Sequence, residues 1–304
     1  MQSQQQLNQQ FAIDDQLHFE ANEAGIVIAT ITNQFATVTL STYGAHVLSY
    51  LPKGESEDVF FVSEQAVYGQ GKAIRGGVPV CWPWFAEDMA ESGKKAHGFA
   101  RNQPWNVIAT KANQDGTTEI SLALSHTEAS LAVWPYEFSL VLEVIVGESL
   151  HMTLTTENLS QQPFTITQAL HTYLNISDIH DIEIVGLDNI QYLDKLTDFS
   201  EKSQQGDISV EGEVDRVYLE PPAIVTLSDT QFGRDIVMTS AGNKTLVVWN
   251  PGPETVRQLS DMDAAAYKDF ICIETANAVV DKVLIESSQQ HHLTAIFQVK
   301  KSQA

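Results

Sequence analysis

The sequence predicts an all-β protein: a large antiparallel β-sandwich with few short helices. Three observations carry this. Apolar and polar residues alternate with a period of two in segment after segment, the pattern of strands with one buried face. The segments are short and end at Gly, Asn, Asp or Pro, the residues that turns use. The chain of 304 residues shows no internal change of composition, so many short strands in one long chain imply one oversized sandwich.

The elements follow in order. The opening MQSQQQLNQQ is too polar to bury much surface, so residues 1–12 are expected to be a disordered tail and residues 13–304 the single sandwich domain. ATVTLSTYGAHVLSYL reads as strand. In AIRGGVPVCWPWFAED, residues 73–88, Pro79 and Pro83 exclude a central ladder position while Gly76 and Gly77 permit unusual backbone shapes. That stretch is expected to be a loop or sheet edge lining something. AHGFARNQPW, residues 96–105, again joins a glycine, an arginine and aromatics. TEISLALSH places Ile120, Leu122 and Leu124 on one face. FSLVLEVIVGESLHMTLTTENLS reads as two strands with a turn near Gly147, Phe138, Leu140, Leu142, Val144 and Val146 facing one way. FTITQALHTYLNI, RDIVMTS, KTLVVWN, FICIET and LTAIFQVK complete the strands, and DMDAAAYKDF is the best short helix, capped by Asp261 or Asp263.

Composition excludes several classes. A formal net charge of −22 opposes binding to a phosphate backbone, so no nucleic-acid partner is expected. No stretch has the form of a secretory signal or a bilayer span of ~20 apolar residues, which gives the expectation of a soluble cytoplasmic protein with no membrane partner. Cys81 and Cys272 are the two cysteines, without zinc-site or disulfide-framework spacing. The arginines are Arg75, Arg101, Arg216, Arg234 and Arg257. An acidic protein that takes an anionic ligand must place such cations locally against its own field.

Counting along the strands gives the candidate chemistry. In ITQALHTYLNI, Phe164, Ile166, Gln168 and Leu170 share one face, and Thr165, Thr167, Ala169, His171 and Tyr173 the other. In FICIETANA, Ile271 and Ile273 face one way, Cys272 and Glu274 the other. His171 and Glu274 thus sit on the less apolar faces. Trp82, Trp84 and Phe85 either stack on a ligand ring or fill the core, and Asp215 beside Arg216 is either a ligand group or a surface ion pair.

The motifs IRGGVPVCWPWF, HGFARNQPW, ALHTYLNISDI, EVDRVY and CIET, in this order from roughly residue 20 to 300, resemble the hexose-6-phosphate mutarotases. These are the glucose-6-phosphate 1-epimerases of the aldose-1-epimerase-like group, and the first two motifs are specific to that branch. The resemblance implies a galactose-mutarotase-like super-sandwich with a sugar phosphate in a groove on one sheet. It implies His171 as catalytic histidine, Glu274 as catalytic glutamate, and Arg75, Arg101 and Asp215 as substrate-binding residues. His97 and Trp82, in the two distinctive clusters, are expected to line the sugar. ETANA after the glutamate departs from the Pro-Gly of some members, which leaves the loop shape open but not the carboxylate.

Anomer exchange requires a base for the C1 hydroxyl and an acid for the ring oxygen. Glu274 suits the base, and His171 the acid if a modest shift keeps the imidazole protonated near its ordinary pKa of ~6.5. No metal or other cofactor is required. The expected partner is a small-molecule sugar phosphate, glucose 6-phosphate first, with the chain a monomer or weak homo-oligomer. Two alternatives stay open: an aldose 1-epimerase acting on unphosphorylated sugars, and a non-catalytic sugar-phosphate-binding protein. A glycosidase fits less well, since it needs two carboxylates across the bond.

Overall fold

The computed structural model describes residues 2–69, 71–86 and 95–302. Antiparallel strand is the dominant regular structure of the described chain, as the alternation requires. The segments from 138 to 158 form Phe138–Val146 and Leu150–Asn158, each with strict burial of every second residue, joined at Gly147. Their alternate side chains Leu140, Leu142, Val144, Met152 and Leu154 are fully withdrawn from water, the main source of cohesion in such a fold.

Two eight-stranded sheets dominate. One runs Ile182–Val185, Ile224–Asp229, Arg234–Ala241, Gln290–Lys301, Leu150–Asn158, Phe138–Val146, Thr118–Ser125, Asn106–Ala112 in spatial order. The other runs Ser200–Ser203, Gln191–Asp194, Val214–Leu219, Thr245–Asn250, Phe270–Asn277, Gln168–Leu170, Val80–Cys81, with Tyr173–Asn175 also paired to Phe270–Asn277. A four-stranded sheet, Leu17–Ala21 to His46–Pro52, and a two-stranded ribbon, Phe164–Ile166 with Val283–Ile285, complete the architecture.

One apolar core joins the two large sheets: Leu142, Leu154 and Phe297 from the first share it with Leu170, Val248, Ile271 and Ile273 from the second. The opposite face of the second sheet is therefore free to build a site. Its register sets Val248 against Ile273 toward the core and Val247 against Glu274 on the other side.

Three expectations change. The opening segment is not a free tail: Gln4–Phe11 is a helix with a Ser3 and Gln6 capping box. Leu7 is buried in the core with Phe11 packed against it, an i, i+4 apolar pair within the glutamines. Gln2 pairs both ways with the Val107 backbone, and Asn8 both ways with that of Phe19. The amides are thus partners for strand edges rather than for water. DMDAAAYKDF supplies only a 3-10 turn, Ala266–Lys268, and of the two aspartates expected to cap it Asp263 accepts the Ala265 N–H while Asp261 turns to Arg75. FTITQALHTYLNI is three short strands rather than one, because Phe164–Ile166 leaves to pair with Val283–Ile285.

Candidate active site

The stretch from 73 to 86 reaches the sheet only as a two-residue edge strand, Val80–Cys81, beside Gln168–Leu170. Around it the backbone runs as loop, and the glycines show why. Gly77 has φ +60, and a Cβ there would collide with the Val47 carbonyl and the His46 ring. His46, fully buried, holds the neighbouring Gly76 carbonyl through Nε2 at 2.7 Å. Burial pulls its pKa down to about 4, so it serves as a neutral donor. Arg75, just before this turn, is thereby held in one place.

The loops cover a cavity of about 580 Å³ on the outer face of the second sheet, a volume suited to a small molecule. His171 and Glu274 meet in it. His171 follows Gln168–Leu170, and its N–H is held by the Pro79 carbonyl. Glu274 lies in Phe270–Asn277. His171 Nε2 is 3.5 Å from Glu274 Oε1. Glu274 Oε2 and His171 Nδ1 are buried with no hydrogen-bond partner. Tyr173 stacks on the imidazole at 4.9 Å and 11°, and Trp249 meets it edge-on.

Electrostatics correct the expected protonation. Burial first, and then the field of His97, Arg101 and Arg75, pushes the His171 pKa well below its ordinary value. Burial first, and then Asp215, pushes that of Glu274 well above the carboxylate range, against a weaker pull from Lys195 and Arg101. Each group therefore favours its neutral form in this cavity, which places the proton that the pair shares on the carboxyl. Desolvation of two charges outweighs their attraction, because the cavity wall offers neither a further hydrogen bond.

The remaining site residues divide. Arg75 lines the cavity, donating from Nε to Asp261 Oδ1 at 3.1 Å and from Nη1 to the Tyr173 hydroxyl at 3.2 Å. Arg101 lines it too; its Nη2 donates to the Ala96 carbonyl, while its Nε is buried without a partner. Asp215 lines it from Val214–Leu219 and pairs with Lys195 at 2.9 Å, not with Arg216, which lies over the Tyr192 ring. His97 takes φ 64 and packs its ring against those of Phe85 and His171. Burial lowers its pKa to about 3. Its Nδ1 accepts the Ala86 N–H at 3.4 Å, which leaves the proton on Nε2 as a donor.

Trp82 is not part of the lining. Its ring is fully buried among Phe99, Trp134 and Phe138, with Nε1 donating to Thr156 Oγ1 at 3.1 Å. The cis Trp82–Pro83 bond lies between this core ring and Phe85, which does face the cavity. Of the two lysines that precede Ala96 and His97 in the sequence, Lys95 lines the cavity, and Lys94 lies outside the described residues.

Sequence reasoning missed several lining groups. Trp249 stands opposite Cys272 in the strand register, and a period-two count along KTLVVWN finds it. Lys72 sits in a loop and Lys195 opens a short 3-10 turn, Lys195–Thr197, neither of which carries such a signal. Among the described residues, the lining cations Lys72, Arg75, Lys95, Arg101 and Lys195 outnumber the carboxylates Asp215, Asp261 and Glu274, within a chain of net charge −22. Among the described residues, donor atoms of His171, Cys272 and Glu274 also lie within 4.8 Å of one another, close enough to share a metal ion.

Comparison with known proteins adds to the geometry. The family model described as aldose 1-epimerase matches residues 27–298. A protein of Escherichia coli, provisionally named a glucose-6-phosphate 1-epimerase, is 36% identical over 259 residues, 85% of each chain. One of Cenchrus ciliaris with the same provisional name is 35% identical over 243 residues, 77% of this chain and 73% of that one. The crystal structure of a provisionally assigned mutarotase, YeaD, from Salmonella typhimurium superposes with a TM-score of 0.89 at 30% identity, covering 96% of each chain.

Proposed function

From the chain's membership of the aldose 1-epimerase family, we propose that it interconverts the α and β anomers of a hexose 6-phosphate, glucose 6-phosphate foremost, with Glu274 and His171 as acid–base pair. The observation that carries the substrate class is the excess of cations among the described residues that line the cavity of so acidic a protein. Charge placed against the field of the whole molecule has a local purpose, and a phosphate dianion is what planar guanidinium donors hold best.

The reaction is a proton relay. Glu274, as carboxylate, takes the proton of the C1 hydroxyl; His171, as imidazolium, gives one to the ring oxygen O5; the C1–O5 bond breaks and C1 becomes an aldehyde. Rotation about C1–C2 presents the other carbonyl face. O5 then attacks C1, returning its proton to His171, while Glu274 protonates the new C1 oxygen. Each transfer is typically worth ~10²–10⁴-fold. The open-chain stage leaves Glu274 protonated and His171 neutral, the arrangement that burial in the cavity favours. The site is thus matched to the intermediate rather than to the closed ring, as catalysis by differential binding asks. Asp215, the His97 Nε2–H and the Lys195 ammonium stand at the cavity wall to hold hydroxyls.

A second reading has one observation in its favour. Arg75 is already engaged by Asp261 and Tyr173, so it can serve as a fixed donor to ring hydroxyls in an enzyme for free aldoses. Measuring exchange on glucose 6-phosphate and on glucose decides between them: a strong preference for the phosphate supports the proposal, and equal rates overturn it.

A further inference from the structure

Cys272 lies in Phe270–Asn277 two residues before Glu274, on the same face and fully buried. The relay does not use it, nor does it line the cavity. Yet its Sγ, a ring nitrogen of His171 and a carboxylate oxygen of Glu274 all lie within 4.8 Å of one another. The Glu274 Oε2 has no hydrogen-bond partner although the residue is only 1% exposed. Imidazole, thiolate and carboxylate are the donors that bind zinc at roughly 2.0–2.3 Å, and three protein ligands with an open fourth position form a familiar zinc geometry. Tetrahedral bonds of that length put donors ~3.5 Å apart. The widest pair therefore needs to close by little more than an ångström, within reach of a side-chain rotation.

We propose that His171, Cys272 and Glu274 form a site for a thiophilic divalent cation of the zinc type, which enters through the cavity and blocks it. As the ion binds, the Cys272 thiol and the Glu274 carboxyl each give up a proton to solvent, and the imidazole binds in its neutral form. A hard cation such as magnesium lacks affinity for this sulfur and nitrogen set. That the bound ion inhibits anomer exchange rests on the acid–base reading above, because the ion takes a ring nitrogen of His171 and a carboxylate oxygen of the pair that the relay needs; the site itself does not rest on that reading.

The test is cobalt(II) added to the intact protein, read by absorption, with zinc as competitor. A thiolate-to-cobalt charge-transfer band that saturates at one ion per chain and is erased by zinc is expected. Cys272→Ala should abolish the band and leave basal exchange near normal, while raising the zinc concentration for half-inhibition by at least ~10²-fold, since even outer-shell ligand partners are worth 10–100-fold in affinity. Cys272→Ser, closer in volume, gives the same reading should the alanine variant fold poorly. Absence of the band in the wild type, or its survival in Cys272→Ala with Cys81 as donor, would overturn the site. Cobalt binding through Cys272 with exchange unaffected would uphold the site and overturn the assignment of His171 and Glu274 to the relay.

Discussion

His171 Nε2, just past the strand Gln168–Leu170, and Glu274 Oε1, on the neighbouring strand Phe270–Asn277, stand 3.5 Å apart, in a cavity that disfavours charge on either. The two share one proton and should act as one unit. His171→Ala and Glu274→Gln are each expected to lower the catalysed exchange rate by at least ~10²-fold, with the double variant little worse than the poorer single. Near-normal exchange in either single variant would remove that residue from the chemistry. Treatment of the purified enzyme with a chelator should cost no activity.

The pH profile follows from the two shifts. Because the Glu274 pKa is raised, the carboxyl keeps its proton as pH climbs beyond the ordinary carboxylate range; because that of His171 is lowered, the imidazole takes a second proton only in acid. The singly protonated pair thus spans a wide window, and kcat/KM should be flat within it. It should fall on the alkaline side as the last proton leaves, and on the acid side as a second one binds. Both limbs belong to the pair rather than to either residue. The substrate phosphate titrates near ~6 and distorts the acid limb, which glucose as a comparison substrate separates. A rate that climbs steadily through the alkaline range would contradict the shared proton.

Arg75 and Arg101 distinguish the substrate classes. Charge-assisted hydrogen bonds contribute ~1.5–3 kcal/mol each, so Arg→Ala at a phosphate contact should lower kcat/KM for glucose 6-phosphate by ~10–100-fold, at ~1.4 kcal/mol per decade. Activity on glucose should change little. Equal losses on both substrates would assign that arginine to ring hydroxyls and move the phosphate role to Lys72 or Lys95, which also line the cavity.

Lys195 holds Asp215 at 2.9 Å, against the burial that raises the carboxyl's pKa. Lys195→Met should leave Asp215 protonated more readily and raise KM for glucose 6-phosphate and glucose alike, by about tenfold for the loss of one charged contact. A rise confined to the phosphorylated substrate would show that Lys195 meets the phosphate itself.

Trp82 tests the division between core and cavity wall. Trp82→Ala removes a fully buried ring and strands Thr156 Oγ1, so denaturant unfolding should show a loss of about 3–5 kcal/mol. Trp82→Phe should cost less and leave KM nearly unchanged. A large KM change with intact stability would return the ring to the ligand.

The legible parts were those that obey a local rule. Alternation located the strands and put Ile273 inward and Glu274 outward, because a strand's two faces follow from its sequence alone. It did not reveal that Phe164–Ile166 leaves the long strand, which depends on a partner more than a hundred residues away. Nor did it reveal the depressed basicity of His171, which comes from burial and from His97, Arg101 and Arg75 on two separate loops. Trp82 illustrates the same limit: a tryptophan in a glycine-rich loop looks like a ligand wall, and only the packing of Trp134 and Phe138 shows that it faces inward.

The most direct measurement is exchange NMR on glucose 6-phosphate, following magnetisation transfer between the α and β C1 protons with and without the protein, and again with glucose. Transfer on the phosphorylated sugar far above the spontaneous rate, lost in Glu274→Gln and much weaker on glucose, is the expected result. Spontaneous-rate transfer on glucose 6-phosphate in the presence of folded protein would contradict it.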